Sequence, residues 1–191
     1  HQDLHAIFEL ETSLFPCLAE MKARGVRVNL EHAEMVEKNL IKIENNMLQG
    51  IKDEIGFAPD LWAARSIEKV FKHLNLPYPK TEKTGAPSFT KNFLKNHDNY
   101  TINLINNARQ ANKARTTFME SIFRYVHKGR IHADINQLRS EFGGTVTGRF
   151  SMTHPNLQQI PKTGSDMGDQ LRAIFVPEEG HTWGCFDYSQ Q

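Results

Sequence analysis

Apolar side chains recur at helical spacing over the first two-thirds of the chain and give way to short alternating runs afterwards. Between Asp3 and Arg24, Leu4, Phe8, Leu14, Leu18 and Met21 predict a helix. Pro16 is expected to kink or divide it, and Gly25 to end it. Val26 to Leu30 reads as a short extended link. Asn29 then caps a second helix, with Glu31 and Glu34 near its positive end. Its stripe of Met35, Val36, Leu40, Ile43, Met47, Leu48, Ile51 and Ile55 runs on to Gly56. A helix of about 25 residues is ~40 Å long, which suggests a projecting arm. Ile67, Val70, Phe71 and Leu74 mark a third helix over Ala64 to Leu74. Pro77, Pro79, Gly85 and Pro87 make Leu76 to Ser88 a loop. Thr90 caps a short helix to Asn96, and Tyr100 to Val126 is a second long one, with Ile102, Ile105, Ala108, Phe118, Ile122 and Val126 apolar.

The period changes after Lys128-Gly129. Arg130 to Gln137 alternates as a strand, with Ile131, Ala133 and Ile135 on one face. Thr145-Val146-Thr147, between Gly144 and Gly148, predicts a second strand and turn. Leu171 to Val176 reads as a short apolar strand. Thr182 to Tyr188 reads as a last one, buried around Trp183, Cys185 and Phe186. The expected class is therefore α+β: long antiparallel helices first, then part of an antiparallel sheet.

Composition narrows this picture only a little. A chain of 191 residues makes one ordinary domain or two small ones. Its 39% hydrophobic and 24% charged residues are ordinary for a globular protein. No apolar run nears the ~20 residues of a membrane span, so no membrane association is expected. His1 to Phe8 lacks the basic-then-apolar pattern of a secretory signal, and His1 in place of Met points to a processed, truncated or tagged start. Cys17 and Cys185 make no disulfide framework and read as reduced structural thiols in a cytosol-like compartment. The nine histidines show no zinc-ligand spacing. A net charge of +1 says nothing about nucleic acid. Its distribution is less even. Arg109, Lys113, Arg115, Arg124, Lys128, Arg130, Arg139 and Arg149 face only Glu120, Asp134 and Glu141, so a local basic surface is expected.

Two segments carry candidate chemistry. In Thr147-Gly148-Arg149-Phe150-Ser151, Gly148 permits a tight bend and close approach of a ligand. Arg149 can present a forked donor to a phosphate, sugar or base edge. In His154-Pro155-Asn156-Leu157-Gln158-Gln159-Ile160-Pro161, the amides Asn156, Gln158 and Gln159 suit base edges and sugar oxygens. On residue types alone, a polar loop with one surface arginine remains the favoured reading. In Phe186-Asp187-Tyr188-Ser189-Gln190, an aspartate leaving an apolar run needs a partner or a metal if buried. Such a carboxylate is a common Mg²⁺ ligand at phosphoryl-transfer sites, although a lone Asp is more often a simple cap.

The order and spacing of these segments resemble those of family A DNA polymerases, the bacterial polymerase I type. TVTGRFSMTHPNLQQIP is similar to the family's T-x-TGR-(L/F)-S-S-x-x-PNLQNIP, LRAIFVPEEG to its (I/V)R-x-(A/C)F-x-(A/P), and DYSQ to the start of its motif A, DYSQIELR. Upstream, ELETSLFPCLAEMKARGVRVNLEH, KTGAPSFTKNFLKN and NARQANKARTTF resemble further segments of the family, so the likeness covers nearly all of the chain. Gln159 departs from the usual Asn, and Gln191 from the usual Ile, which points to a phage-like or organellar branch.

The resemblance implies a helical thumb that grips duplex DNA and a palm that carries catalysis. Residues 1–29 become a palm-proximal helix and link, 30–115 the thumb, and 116–191 the N-terminal part of the palm, ending in motif A. Carried over by position, Arg109 and Lys113 lie near the primer-template backbone, and Arg149 reaches the minor groove at the primer terminus. Asn156 and Gln158 belong to the same DNA-binding loop, and Gln190 lies near the active-site minor groove. Asp187 becomes the catalytic aspartate holding two Mg²⁺ ions, with the Tyr188 carbonyl assisting. The implied reaction is nucleotidyl transfer from a dNTP to the primer 3′ hydroxyl.

The fingers and the motif C aspartate have no counterpart here. The chain alone is therefore expected to be inactive, and to need a complementary chain or segment that carries them. The alternative is a non-catalytic module, derived from a thumb, that binds DNA or a partner. A cytoplasmic setting, bacterial or phage-infected, is expected.

Overall fold

A computed structural model describes residues 4–141, 143–164 and 166–189. The chain forms two compact units, one of Glu37–Thr117 and one of the residues up to Val36 together with those from Phe118 on. Their boundaries fall inside two helical stretches, α2 (Leu30–Ile55) and a π-helical turn (Ala114–Met119). The class is α+β, as the sequence predicts: helices with small antiparallel sheets.

The Glu37–Thr117 unit contains most of α2, then α3 (Ala64–His73), α4 (Lys91–Lys95) and α5 (Tyr100–Lys113). Its core collects stripes that the spacing picks out, Ile51 and Ile55 from α2, Ile67, Val70 and Phe71 from α3, and Ile102, Ile105 and Ala108 from α5, and adds Leu94 from α4. The far end of α2 is thus built into a core and is not a free arm. Phe71 is fully buried at the centre of an aromatic cluster, 5.0 Å from the stacked ring of Phe89 and 5.7 Å from that of Phe93. Burying such a side chain is worth roughly 2–3 kcal/mol. Local capping agrees with the sequence. The Thr90 hydroxyl accepts from the Phe93 N–H, and the Asn99 side chain from that of Ile102.

The other unit opens with α1 (Leu4–Arg24), which runs through Pro16 without being divided. Only Leu18 of this helix is buried, while Leu4, Phe8 and Met21 of its apolar stripe remain exposed. Gly25 ends it at φ +63°, its N–H donating to the Met21 carbonyl at 2.9 Å. A Cβ at Gly25 would come within 2.7 Å of the Ile131 carbonyl, so only glycine fits. The Asn29 side chain caps α2 by accepting from the His32 N–H at 2.9 Å.

The sheets differ from the sequence expectation. The 26–30 link contributes β1 (Val26–Arg27), which pairs with β3 (Arg130–Ile131) in a three-stranded sheet of order β1-β3-β2, where β2 is Val126–His127. The expected 130–137 strand is split. After β3 the chain leaves the sheet, and β4 (Asp134–Asn136) pairs instead with β5 (Ser151–Thr153). The second strand therefore lies at 151–153 and not at 145–147. The glycines on either side account for this, since Gly144 and Gly148 adopt φ +95° and +71°, incompatible with a continuous ladder.

Leu171–Val176 is not a strand either. Asp166–Arg172 forms the helix α7, and only the end of the run lies along β structure: Phe175 bridges Val28, the Asn29 N–H donates to the Ile174 carbonyl at 2.9 Å and the Val176 N–H to that of Arg27 at 3.1 Å. Asp169 at the start of α7 accepts from the Gly164 N–H, a side-chain turn that favours the helix. Thr182–Tyr188 forms no strand: Trp183, Phe186 and Tyr188 are 61%, 96% and 84% exposed, and Cys17 and Cys185 are exposed free thiols. Apolar, β-favouring residues make a strand only when a neighbour takes up their backbone hydrogen bonds, and among the described residues none does. The long helix expected over Tyr100–Val126 exists as α5, the π turn and α6 (Glu120–Tyr125) in sequence. Among the described residues, no helix is long and apolar enough to cross a membrane.

Candidate nucleic-acid interface

The Thr147–Phe150 loop is fixed by its backbone and leaves its charge free. The Thr145 hydroxyl donates to the Arg149 carbonyl at 2.7 Å, closing the turn around Gly148. Gly148 has nothing within 4 Å of where a Cβ would stand, so positive φ, not crowding, selects glycine there. The Arg149 guanidinium is exposed, with no partner among the described residues.

The next segment is tied to this loop. The Asn156 carboxamide accepts from the Gln158 N–H at 3.1 Å and starts a 3₁₀ turn over Leu157–Gln159. The Gln158 amide then donates to the Phe150 carbonyl at 3.2 Å. Arg172 of α7 holds the far end, through the Pro161 carbonyl at 2.7 Å. The structure thus brings Arg149, Asn156 and Gln158 into one segment, but Asn156 and Gln158 spend part of their bonding capacity on the backbone.

Beneath this loop lies a polar network that residue types alone did not reveal. The Ser151 hydroxyl accepts from the Gly144 N–H at 3.1 Å, and Asn136 reaches the Thr153 hydroxyl at 3.2 Å. Asp134 binds Lys22 of α1 and, at 2.9 Å, His154 Nδ1. The Lys22 hydrogen bond, then that of His154, holds its carboxyl below the usual carboxylate range, with burial opposing. The signal was the alternation of 130–137, which placed His132, Asp134 and Asn136 together on the polar face.

Asp187 is exposed and unpartnered among the described residues, and no hydrogen bond or ion pair there joins it to Arg149. Among the described residues, no three His, Cys, Asp or Glu side chains gather as a metal site. The Asp187 carboxylate and Tyr188 carbonyl are hard oxygen donors of the kind Mg²⁺ takes, but they supply only part of its near-octahedral shell. Gln190 lies outside the described residues.

In the Glu37–Thr117 unit, Arg109 is half-buried and strongly held. Its Nε donates to the Leu61 carbonyl at 2.5 Å and its Nη1 to that of Phe89 at 3.0 Å, while the guanidinium lies 5.4 Å over the Trp62 ring. Burial lowers its pKa, though a guanidinium stays charged. Lys113, one turn on, is exposed. The basic run expected over 109–149 is divided between the units, its members up to Arg115 in one and those from Arg124 in the other, and Arg115 and Arg130 are paired with Glu44 and Glu178. Trp62 and Asn106 were missed. The available signal was Asn106, Arg109, Gln110 and Lys113 at i, i+3, i+4 and i+7, a polar face on one side of α5.

The comparisons with known proteins bear on the same segments. A family model described as DNA polymerase family A matches residues 30–191. The chain is 34% identical over 200 residues to a DNA-directed DNA polymerase of Pseudomonas phage M6, covering 100% of this chain and 30% of that protein. It is 35% identical over 189 residues to the thermostable DNA polymerase I of Thermus filiformis, covering 95% and 22%. Among solved structures, the POL domain of Pol1 from M. smegmatis, in complex with DNA primer-template and dNTP, matches with a TM-score of 0.75 and 27% identity over 95% of this chain and 33% of that one. The chain therefore spans about a third or less of each relative.

Proposed function

Because this chain belongs to DNA polymerase family A, we propose that it binds primer-template DNA and supplies one metal-binding aspartate for nucleotidyl transfer. Residues 30–115 act as the thumb, 116–191 as the first part of the palm, and 1–29 as the helix and link beside it. The observation that carries this reading is the Arg149 loop, whose backbone is fixed at both ends while its guanidinium has no partner among the described residues. A free donor on a rigid loop can test the minor-groove acceptors, N3 of purines and O2 of pyrimidines, which are alike in correct pairs. Such contact checks pair shape without reading sequence. Arg109 and Lys113 contribute positive charge towards phosphates, a contact that weakens with salt.

Asp187 and the Tyr188 carbonyl would hold Mg²⁺, with the remaining ligands from a segment that carries motif C and from the dNTP. Magnesium, when bound, supplies charge stabilisation on the phosphate oxygens and eases deprotonation of the attacking hydroxyl. This chain's own residues hold the primer end and offer one carboxylate. With only one aspartate assigned to the metal site, the 191-residue chain does not polymerise by itself.

The test combines primer extension with fluorescence anisotropy on a labelled primer-template. The chain alone should bind DNA in a salt-sensitive manner and extend nothing. Addition of a second chain carrying the fingers and motif C should restore template-dependent extension, and Asp187→Ala should abolish it while keeping binding. Clear extension by the chain alone would overturn the requirement for a second segment. Binding without any restored extension would favour a non-catalytic DNA-binding module.

A further inference from the structure

A cavity of about 390 Å³ lies within the Glu37–Thr117 unit, walled by the start of α3, by α4 and by α5. Its size falls in the range of small-molecule sites, roughly 300–1,000 Å³. Phe89 and Leu94 give it an apolar side. Trp62 forms another wall, 57% exposed yet held in place. Its indole N–H donates to the Asn112 carboxamide at 2.8 Å, and Asp60 Oδ1 accepts from the backbone N–H groups of Trp62 and Ala63 at 2.9 and 3.2 Å. The Arg109 guanidinium lies over one face of this ring, 5.4 Å from its centroid, and an exposed indole fixed in this way keeps the rest of its surface for stacking.

Asn106 also lines the cavity. It is only 7% exposed, and its carboxamide has no hydrogen-bond partner among the described residues. Its polar atoms are not sealed from solvent, so the amide is open to exchange water for a ligand's donors and acceptors. The charges on the walls are Lys91, Arg109 and Lys113, all cationic, with no acidic residue among the described residues that line it. A ligand that matches these walls has a flat aromatic face, an edge carrying donors and acceptors, and a negative charge. A hydrocarbon would leave the amide and the cations unmatched. An acidic peptide side chain would leave the indole and the amide unmatched.

We infer that this cavity is a nucleotide site, in which Trp62 stacks on the base, the Asn106 carboxamide pairs with its edge, and Lys91 and Lys113 take its phosphate. Carboxamides bond base edges through paired donor and acceptor atoms, and stacking on an aromatic ring is tolerant of base identity. The nucleotide comes either from an unpaired stretch of DNA strand or from the free pool. The inference goes beyond the polymerase reading, since it needs neither duplex nor catalysis, and its failure leaves that reading intact.

The test uses the full chain with Trp183→Phe, which leaves Trp62 as the sole indole of the two in the chain. An octamer of deoxyadenosine should quench Trp62 emission, and an abasic octamer of equal length should bind about tenfold more weakly, the loss expected when stacking goes. Quenching by deoxyadenosine monophosphate as well identifies the free nucleotide as sufficient. Quenching by the octamer alone identifies a strand-borne base. Asn106→Leu should weaken octamer binding by about five- to tenfold at unchanged melting temperature. Should that variant unfold, Trp62→Leu, at an exposed position, decides the matter by anisotropy of a labelled octamer: about tenfold weaker binding is expected, with primer-template affinity kept within about twofold. Absence of quenching by either nucleotide form overturns the inference. So does equal affinity for the abasic octamer, or a Trp62→Leu chain that binds the octamer as the parent does.

Discussion

Arg109 and Arg149 are both assigned to DNA by position, yet their surroundings are opposites. Arg109 is half-buried, hydrogen-bonded to the carbonyls of Leu61 and Phe89, and packed over Trp62. Arg149 is exposed, and among the described residues only its backbone is held. One guanidinium has its conformational entropy removed by the fold; the other retains it until a ligand arrives. A family motif transfers a residue's identity but not the energy it has already committed. The Glu37–Thr117 unit therefore presents a charge that is part of its own architecture, whereas the 145–151 loop presents one that is free to respond.

The largest expected consequence is in stability. Arg109→Ala strands two carbonyls in a partly buried place and strips the cover from Trp62. Leaving such acceptors unmet costs about 1–3 kcal/mol each when fully buried, so a loss of about 2–4 kcal/mol is expected for this half-buried pair. Arg149→Ala should stay within ~0.5 kcal/mol of the parent, as exposed substitutions usually do. Urea unfolding of the two variants in parallel decides. Equal midpoints would erase the distinction between the two arginines.

The next effect is in DNA binding. Lys113→Ala should weaken primer-template binding uniformly across sequences and reduce the slope of log affinity against log salt by about one. Gln158→Ala should act differently. It removes the bond to the Phe150 carbonyl, at a cost of about 0.5–1.5 kcal/mol, and lets the Arg149 loop move. Its affinity loss should therefore appear with little change in salt slope. Anisotropy titrations at several salt concentrations separate the two, and an identical slope change in both variants would show that Gln158 does not act through the loop.

This contrast also marks what residue order alone can convey. Helices were legible because each carries its own evidence: Asn29 caps, Gly25 stops, and Ile67, Val70 and Phe71 repeat at a helical period. Strands were not, because their stability belongs to pairs. The run 182–188 has strand-forming residues but no described neighbour, while Val26–Arg27, with almost no pattern, becomes a strand because Arg130–Ile131 lies beside it. Leu171 was read as strand because an apolar run of a few residues fits either period, and the contact from the Gly164 N–H to Asp169 near the start of α7 runs through a side chain. In the candidate site, Arg149, Asn156 and Gln158 were legible from local sequence. The cavity beside Trp62 was not, since it is assembled by three helices, and the place of Asn106 on its wall shows itself only in a structure.

The smallest effect is a pH dependence that differs between the units. Asp134, below the Arg149 loop, has a carboxyl pKa lowered first by Lys22 and then by His154. Glu68, in the Glu37–Thr117 unit, is lowered first by the Tyr78 hydroxyl and then by Lys72. For a depressed carboxyl, stability is fully present above its unfolded pKa and is lost as pH falls through the lower native value. Asp134's contribution is thus complete well above its ordinary 3.8 and fades below it. The side chain is 35% exposed, so solvent screens the interaction and the whole effect should stay within about 1 kcal/mol. Melting temperature recorded from about pH 6 down to pH 3 should fall less steeply in Asp134→Asn than in the parent. In that variant, labels on the 145–151 loop should also lose the acid response that the parent shows. Glu68→Gln should flatten the global curve and leave the loop's response unchanged, because Glu68 belongs to the other unit. A loop that loosens in acid as readily in Asp134→Asn as in the parent would mean that the carboxylate is not what holds it.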